Sequence, residues 1–225
     1  MALEYRNDDG TAEIRFDDGK ANVMSTDWFR ELGGLLDRAE KDAAKAVLFR
    51  GRAGMFSGGL NMKWLPTLKG DEARELVETF SSTMLRVWGF PIPTVAAVGG
   101  HAVAGGCVLM SACDMRFAVD GPFRLQMNEV LVGMAIPSWA SVICRTAWPE
   151  PQANDLLLLG RPFSPAEARA AGALHGLAAD EDACAAAARA AAKSFAAIGA
   201  RPFAVSKARV RNAEIERVKS ILFGE

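Results

Sequence analysis

The sequence predicts an α/β fold followed by a helical C-terminal stretch, and three observations predict it. Strand-like apolar runs alternate with amphipathic helical ones between residues 12 and 119. Two glycine-rich turns, around Gly58–Gly59 and Gly105–Gly106, each follow a strand-like run. Beyond Pro149 the apolar spacing becomes helical.

The elements follow in order. Ala12–Phe16 alternates like a strand, and Asp17-Asp18-Gly19 turns the chain. Ser25-Thr26-Asp27 supplies capping chemistry for a helix to about Lys41, with Trp28, Leu32, Leu35, Leu36 and Ala39 on one face. Strand Ala46–Arg50 leads into the first glycine turn. Leu76, Phe80, Met84 and Val87 mark an amphipathic helix that ends before Pro91. Thr94–Val98 reads as a buried strand ended by Gly99–Gly100. Gly105–Gly106 then opens the apolar helix Cys107–Ala112, and Met115–Val119 is a further strand. Ser164-Pro165-Ala166-Glu167 starts a capped helix. Glu181–Ile198 puts Cys184, Ala188, Ala191, Phe195 and Ile198 on one stripe. Phe203–Leu222 does the same with Ala208, Ile215, Val218 and Leu222. The organisation expected is therefore an α/β core over residues 1–149 and a helical region over 150–225.

Composition narrows the function. Half of the 225 residues are apolar, enough for one good core. With 26 basic against 27 acidic residues, neither general nucleic-acid binding nor attachment to an anionic membrane is expected. No apolar run approaches the roughly 20 residues that span a bilayer, and the N-terminus lacks a basic-then-apolar signal pattern. The expected location is cytoplasmic. Cys107, Cys113, Cys144 and Cys184 stand in apolar contexts without metal-ligand spacing, so buried, reduced thiols and no metal site are expected.

The turn at Gly105–Gly106 offers bare backbone N–H groups at the positive end of a helix. Such a place holds a phosphate or an oxyanion, or it merely lets helix and strand pack closely; the turn alone leaves both readings open. A phosphate loop starting at Gly100 would need lysine and a hydroxyl where Gly106 and Cys107 stand. There is no Gly-x-Ser-x-Gly elbow, and His101 and His175 are the only histidines. Mononucleotide binding and triad hydrolysis are thus disfavoured.

Four segments together resemble the crotonase (enoyl-CoA hydratase/isomerase) superfamily. They are Asp18-Gly-Lys-Ala-Asn-Val-Met24, Phe56-Ser-Gly-Gly-Leu-Asn-Met62, Ala96-Ala-Val-Gly-Gly-His-Ala-Val-Ala-Gly-Gly-Cys-Val-Leu109 and Leu125-Gln-Met-Asn-Glu-Val-Leu-Val-Gly133. Their order and spacing fit over nearly the whole chain. The resemblance implies a spiral of ββα units with a helical C-terminal region that assembles trimers or pairs of trimers. It also implies an acyl-CoA thioester substrate whose CoA part belongs to the substrate, with no separate cofactor.

Carried over by motif position, the resemblance makes the backbone N–H groups of Leu60 and Gly105 the pair that binds the thioester oxygen as it becomes enolate-like. It makes Glu129 the acid/base. Gly58, Leu60 and Met62 would meet the adenine of CoA, and Lys20 its phosphates; Lys207, Arg209 and Arg211 either help there or form a solvated helix face. Trp64, Leu65, Trp88 and Trp139 are either walls of an acyl pocket or plain core. The pattern departs from the family at two places. Val108 stands where hydratases carry a second glutamate, and Asn128 replaces the proline before Glu129. Because Glu129 lies beside an apolar run, burial is expected to raise its pKa. His101 and Asp114 are expected to serve the backbone of turns, not proton transfer. The favoured activity is double-bond isomerisation of an enoyl-CoA with one glutamate. Hydratase, hydrolase or decarboxylase chemistry and a weakly catalytic CoA-binding protein are the alternatives.

Overall fold

The computed structural model describes residues 3–61, 64–195 and 198–222. The chain runs β1 (Leu3–Asp8), β2 (Thr11–Phe16), β3 (Val23–Met24), α1 (Thr26–Lys41), β4 (Ala46–Arg50), β5 (Gly54–Ser57) and β6 (Gly59–Leu60). After a short 3-10 turn come α2 (Asp71–Gly89), β7 (Thr94–Val98), β8 (Gly100–Val103), α3 (Gly105–Ala112), β9 (Met115–Val119) and β10 (Leu125–Gln126). A 3-10 turn at Glu129–Val132 leads to α4 (Ser138–Ala147), α5 (Gln152–Leu158), α6 (Pro165–Ala170), β11 (Gly176–Ala178), α7 (Glu181–Phe195) and α8 (Ala200–Leu222).

Strand order explains the architecture. A six-stranded sheet runs β1-β2-β4-β7-β9-β11, and only the β1–β2 pair in it is antiparallel. A smaller parallel sheet runs β10-β8-β5, and β3 pairs with β6. Each of β2, β4, β7 and β9 thus passes to a strand of a smaller sheet and then to a helix. This is the repeated ββα unit expected for the fold, wound four times. No sequence repeat announces it, because the unit is conserved as a path of the chain and not as a pattern of residues.

Both faces of the large sheet are buried, as parallel strands require. Val47, Phe49, Ala96 and Val98 point into the main core, and Ala46, Leu48, Val95 and Ala97 point the other way, under α7. The alternation follows the period of two along each strand. On α7 the buried residues are Cys184, Ala185, Ala188 and Ala192, small side chains that bring the helix close to the sheet. Ala191 and Phe195 are half-buried and Ile198 is exposed.

The region from residue 150 is therefore not purely helical. β11 is an edge strand of the large sheet, paired with β9, and α7 covers the sheet's second face. The sequence conceals this because Gly176-Leu177-Ala178 carries no strand pattern. The α6 start agrees with expectation: Ser164 and Glu167 form a reciprocal capping box. α8 uses Ile215 and Val218 against the chain's own core, while Val205 and Val210 stay exposed. The side chain of Leu222 lies outside the described residues. Among the described residues, no helix is long and apolar enough to cross a membrane.

Candidate active site

The two glycine turns meet at the start of α3. Gly59 has φ +80, and a Cβ there would stand 2.7 Å from the Gly105 nitrogen and 2.9 Å from the Ala104 Cβ. A Cβ on Gly106 would stand 2.2 Å from the Ser57 carbonyl oxygen. Backbone touches backbone here, so only glycine fits at either position. The ladder of α3 begins where Val108 N–H donates to the Ala104 carbonyl at 3.0 Å. Gly105 and Gly106 consequently lie in the first turn, where a helix has no internal acceptor for its N–H groups. Ala104, the N-cap, holds φ 50 and ψ −121, a conformation that glycine adopts far more readily.

The first turn is fastened from behind. Asn22 is fully buried, and its Nδ2 donates to the carbonyls of Phe16 (3.0 Å), Met55 (3.2 Å) and Phe56 (3.1 Å). Ser57 Oγ donates to the Asn22 carbonyl at 2.7 Å and accepts from Gly59 N–H at 3.1 Å. Pairing of β3 with β6 sets Met24 opposite Leu60. Asn22 was visible in sequence only as part of a motif; its positioning role needs the three carbonyls that the fold gathers.

Lys20 and Gly58 lie together, since Gly58 N–H donates to the carbonyl of Ala21, the neighbour of Lys20, at 2.8 Å. The Lys20 side chain is exposed, and Arg52 Nε donates to its carbonyl at 2.9 Å. Met62 falls outside the described residues. Lys207 and Arg211, read as phosphate ligands or a solvated face, are neither. Lys207 Nζ reaches Asp114 Oδ2 at 2.7 Å and Arg211 Nη1 reaches Asp114 Oδ1 at 2.9 Å, fixing α8 to the start of β7 through Thr94. Arg209 is exposed. Burial holds the Lys207 ammonium below the usual lysine range even with Asp114 beside it.

Glu129 is carried to this place by β10. Gln126 pairs with Val103, and Ala104 N–H donates to the Gln126 carbonyl at 2.8 Å. Three residues later Glu129 opens the 3-10 turn, its carbonyl accepting from Met134 N–H at 2.9 Å. Its Oε2 is buried without a hydrogen-bond partner. Burial raises its pKa above the usual carboxylate range, opposed only by a hydrogen bond from its own backbone N–H. The neighbouring thiols, Cys107 on α3 and Cys144 on α4, are themselves driven up by burial, Cys144 to about 12. They are neutral at physiological pH, so no second charge competes with Glu129. Val108 is 1% exposed and carries no proton. Among the described residues, the arrangement combines two convergent backbone turns with one half-buried carboxyl, and Val108 adds no second acid.

The other residues singled out in the sequence make contacts of their own. His101 Nδ1 accepts from Arg124 N–H at 3.0 Å, a backbone service as expected. Trp88 is core beneath Arg211 on α8. Trp64 and Leu65 are half-buried, their N–H groups donating to the Asn61 carbonyl at 3.0 and 2.9 Å. Trp139 is buried at the start of α4.

Known proteins are similar to this chain in sequence and in fold. A family model described as enoyl-CoA hydratase/isomerase matches residues 6–221. A putative enoyl-CoA hydratase of Thermus thermophilus is 37% identical over 166 residues, 72% of this chain and 65% of that protein. The mitochondrial enoyl-CoA delta isomerase 1 of Rattus norvegicus is 26% identical over 171 residues, 75% of this chain and 59% of that protein. The aligned stretch is thus under two thirds of either relative. The crystal structure of an enoyl-CoA hydratase/isomerase family protein from Pseudomonas syringae has a TM-score of 0.92 at 31% identity, covering 99% of this chain and 95% of that one.

Proposed function

Because the chain belongs to the enoyl-CoA hydratase/isomerase family, we propose that it moves the double bond of a 3-enoyl-CoA to the 2-position with Glu129 as its one acid/base. The observation that carries this reading is the buried, unpartnered Oε2 of Glu129, with Val108 where a second carboxylate would stand. Hydration of a 2-enoyl thioester calls for a water held and activated between two carboxylates. Isomerisation needs one group that moves one proton.

In the step proposed, the Glu129 carboxylate takes a proton from C2. The electron pair left behind spreads over the thioester carbonyl and the neighbouring double bond as a dienolate. Negative charge on the thioester oxygen is stabilised by the N–H groups of Leu60 and Gly105, worth about 10²–10³ in rate per donor. Glu129 then returns the proton to C4, leaving the double bond between C2 and C3 and the carboxylate regenerated. A raised pKa suits both halves of this transfer. Lys20, Gly58 and Met62 are the proposed contacts of the CoA moiety.

We also assign the working form as a homotrimer or a pair of trimers in the cytoplasm. Val130, Leu131, Val132, Met134, Leu158 and Leu159 are exposed apolar residues around the Glu129 turn, and they favour burial against a second copy. Light scattering at micromolar concentration checks this; a single-chain mass would refute it.

Paired assays on 3-enoyl-CoA and 2-enoyl-CoA test the reaction. Isomerisation well above hydration, abolished in Glu129→Gln, is the expected result. Strong hydration, or full activity without Glu129, would overturn the single-glutamate mechanism.

A further inference from the structure

Six aromatic rings form an unbroken chain behind the paired glycine turns. Phe56 packs on Phe16 with centroids 5.1 Å apart, Phe16 on Trp28 at 5.9 Å, and Trp28 on Phe29 at 5.3 Å. Phe29 stacks on Phe80 at 4.8 Å, and Phe80 meets Trp139 edge to face at 4.8 Å. Five of these rings are at most 3% exposed, whereas Phe80 is half-buried. Phe80 is therefore the one ring of the six that keeps appreciable exposure. Its Cζ lies 3.1 Å from the point where a Cβ on Gly105 would stand, beside the backbone donor assigned to the thioester oxygen.

We propose that Phe80, backed by Phe29 and Trp139, is the end wall of the acyl pocket and restricts the enzyme to short-chain acyl-CoA thioesters. The proposal rests on the acyl-CoA reading above for the identity of the ligand. A thioester oxygen held by Gly105 N–H sits a few carbon–carbon bonds from this ring, so an acyl tail on that side meets it early. Turning Phe80 toward Phe29 or Trp139 means displacing a ring locked in a close-packed interior. The hollow between α2 and α8, about 400 Å³ and lined by Val77, Ser81, Leu85 and Lys219, has none of the six rings in its lining.

Titration calorimetry with saturated thioesters reads this without turnover. Butyryl-, hexanoyl-, octanoyl- and dodecanoyl-CoA would be compared on the wild type, Phe80→Ala and Phe80→Leu. An open apolar tunnel gains roughly fourfold in affinity per methylene. The expected wild-type profile rises from butyryl to hexanoyl and then stops or reverses. In Phe80→Ala the dodecanoyl ester is expected to bind at least about tenfold tighter than the hexanoyl ester. Phe80→Leu keeps an apolar side chain at a half-buried position, maintains the test should the alanine variant fail to fold, and is expected to shift the profile the same way. A wild-type affinity that climbs steadily to dodecanoyl-CoA, or folded variants with the wild-type profile, would overturn the wall. Binding of no thioester at all would instead overturn the acyl-CoA reading on which the wall depends.

Discussion

The Gly105 nitrogen lies 2.7 Å from the point where a Cβ on Gly59 would stand, so the two turns are joined as closely as two backbones can be. Gly59→Ala is therefore expected to push a methyl onto the donor and to strain φ +80. Loss of one donor predicts a fall in kcat of about a hundredfold or more. Gly105→Pro, which removes the same N–H, is expected to match it. Leu60→Ala keeps its N–H and should retain most of kcat. Steady-state assays of the three variants, each checked for folding by circular dichroism, decide the matter. Near-full activity in folded Gly59→Ala would separate this junction from the chemistry.

The base role proposed for Glu129 sets activity against stability. As a base it must be ionised, so kcat/KM should rise with pH through a value above the ordinary glutamate range of about 4.3. Burial raises the folded-state pKa, so the group's favourable contribution to stability is complete below the unfolded-state value. It is lost as pH rises through the folded-state value. Where the carboxyl is ionised, the fold thus carries a half-buried charge whose Oε2 has no hydrogen-bond partner. Glu129→Gln should melt roughly 2–4 °C above the wild type at pH 7, with the gap closing at acid pH. A variant less stable at neutral pH would contradict this account.

Ala104 holds φ 50 and ψ −121 at the helix start. An L-residue in that region costs about 1 kcal/mol or more relative to glycine. Ala104→Gly should raise the unfolding free energy by a comparable amount, and the denaturation midpoint with it, without changing KM. Chemical denaturation of the two proteins checks the expectation, and an unchanged midpoint would mean that the Cβ contact near Gly59 compensates the strain.

Asp114 is shared by Lys207 and Arg211, whose side chains are only 4% and 18% exposed. Asp114→Asn leaves two inward cations without their carboxylate. Removing one partner of a buried ion pair costs about 3–5 kcal/mol. Destabilisation of that size is expected, read by urea unfolding, with kcat of the folded fraction retained. A loss below about 1 kcal/mol would reduce the cluster to a surface ion pair.

Much of this molecule is readable from neighbouring residues alone. The strands Ala46–Arg50, Thr94–Val98 and Met115–Val119 appear where their apolar runs put them, as does the α3 helix opened by Gly105–Gly106. Those signals are local: periodicity, glycine pairs and capping residues act over a few positions, so a short window contains them. The partial burial of Glu129 and the upward direction of its pKa were likewise legible from the apolar run beside it. What the tertiary structure alone decided is which distant segments meet. Gly176–Ala178 becomes a sheet strand only because β9 offers it an edge. Lys207 and Arg211 are anchors and not a solvated face, because Asp114 waits 93 residues away in sequence for Lys207. Phe80 looked like one more apolar position on a helix until Phe29, Trp139 and Gly105 were gathered around it. Local pattern fixes the segments whose energetics are those of adjacent residues, such as Thr94–Val98 and α3. Partnership depends on loop closure and packing over the whole chain, and no short stretch of sequence records it.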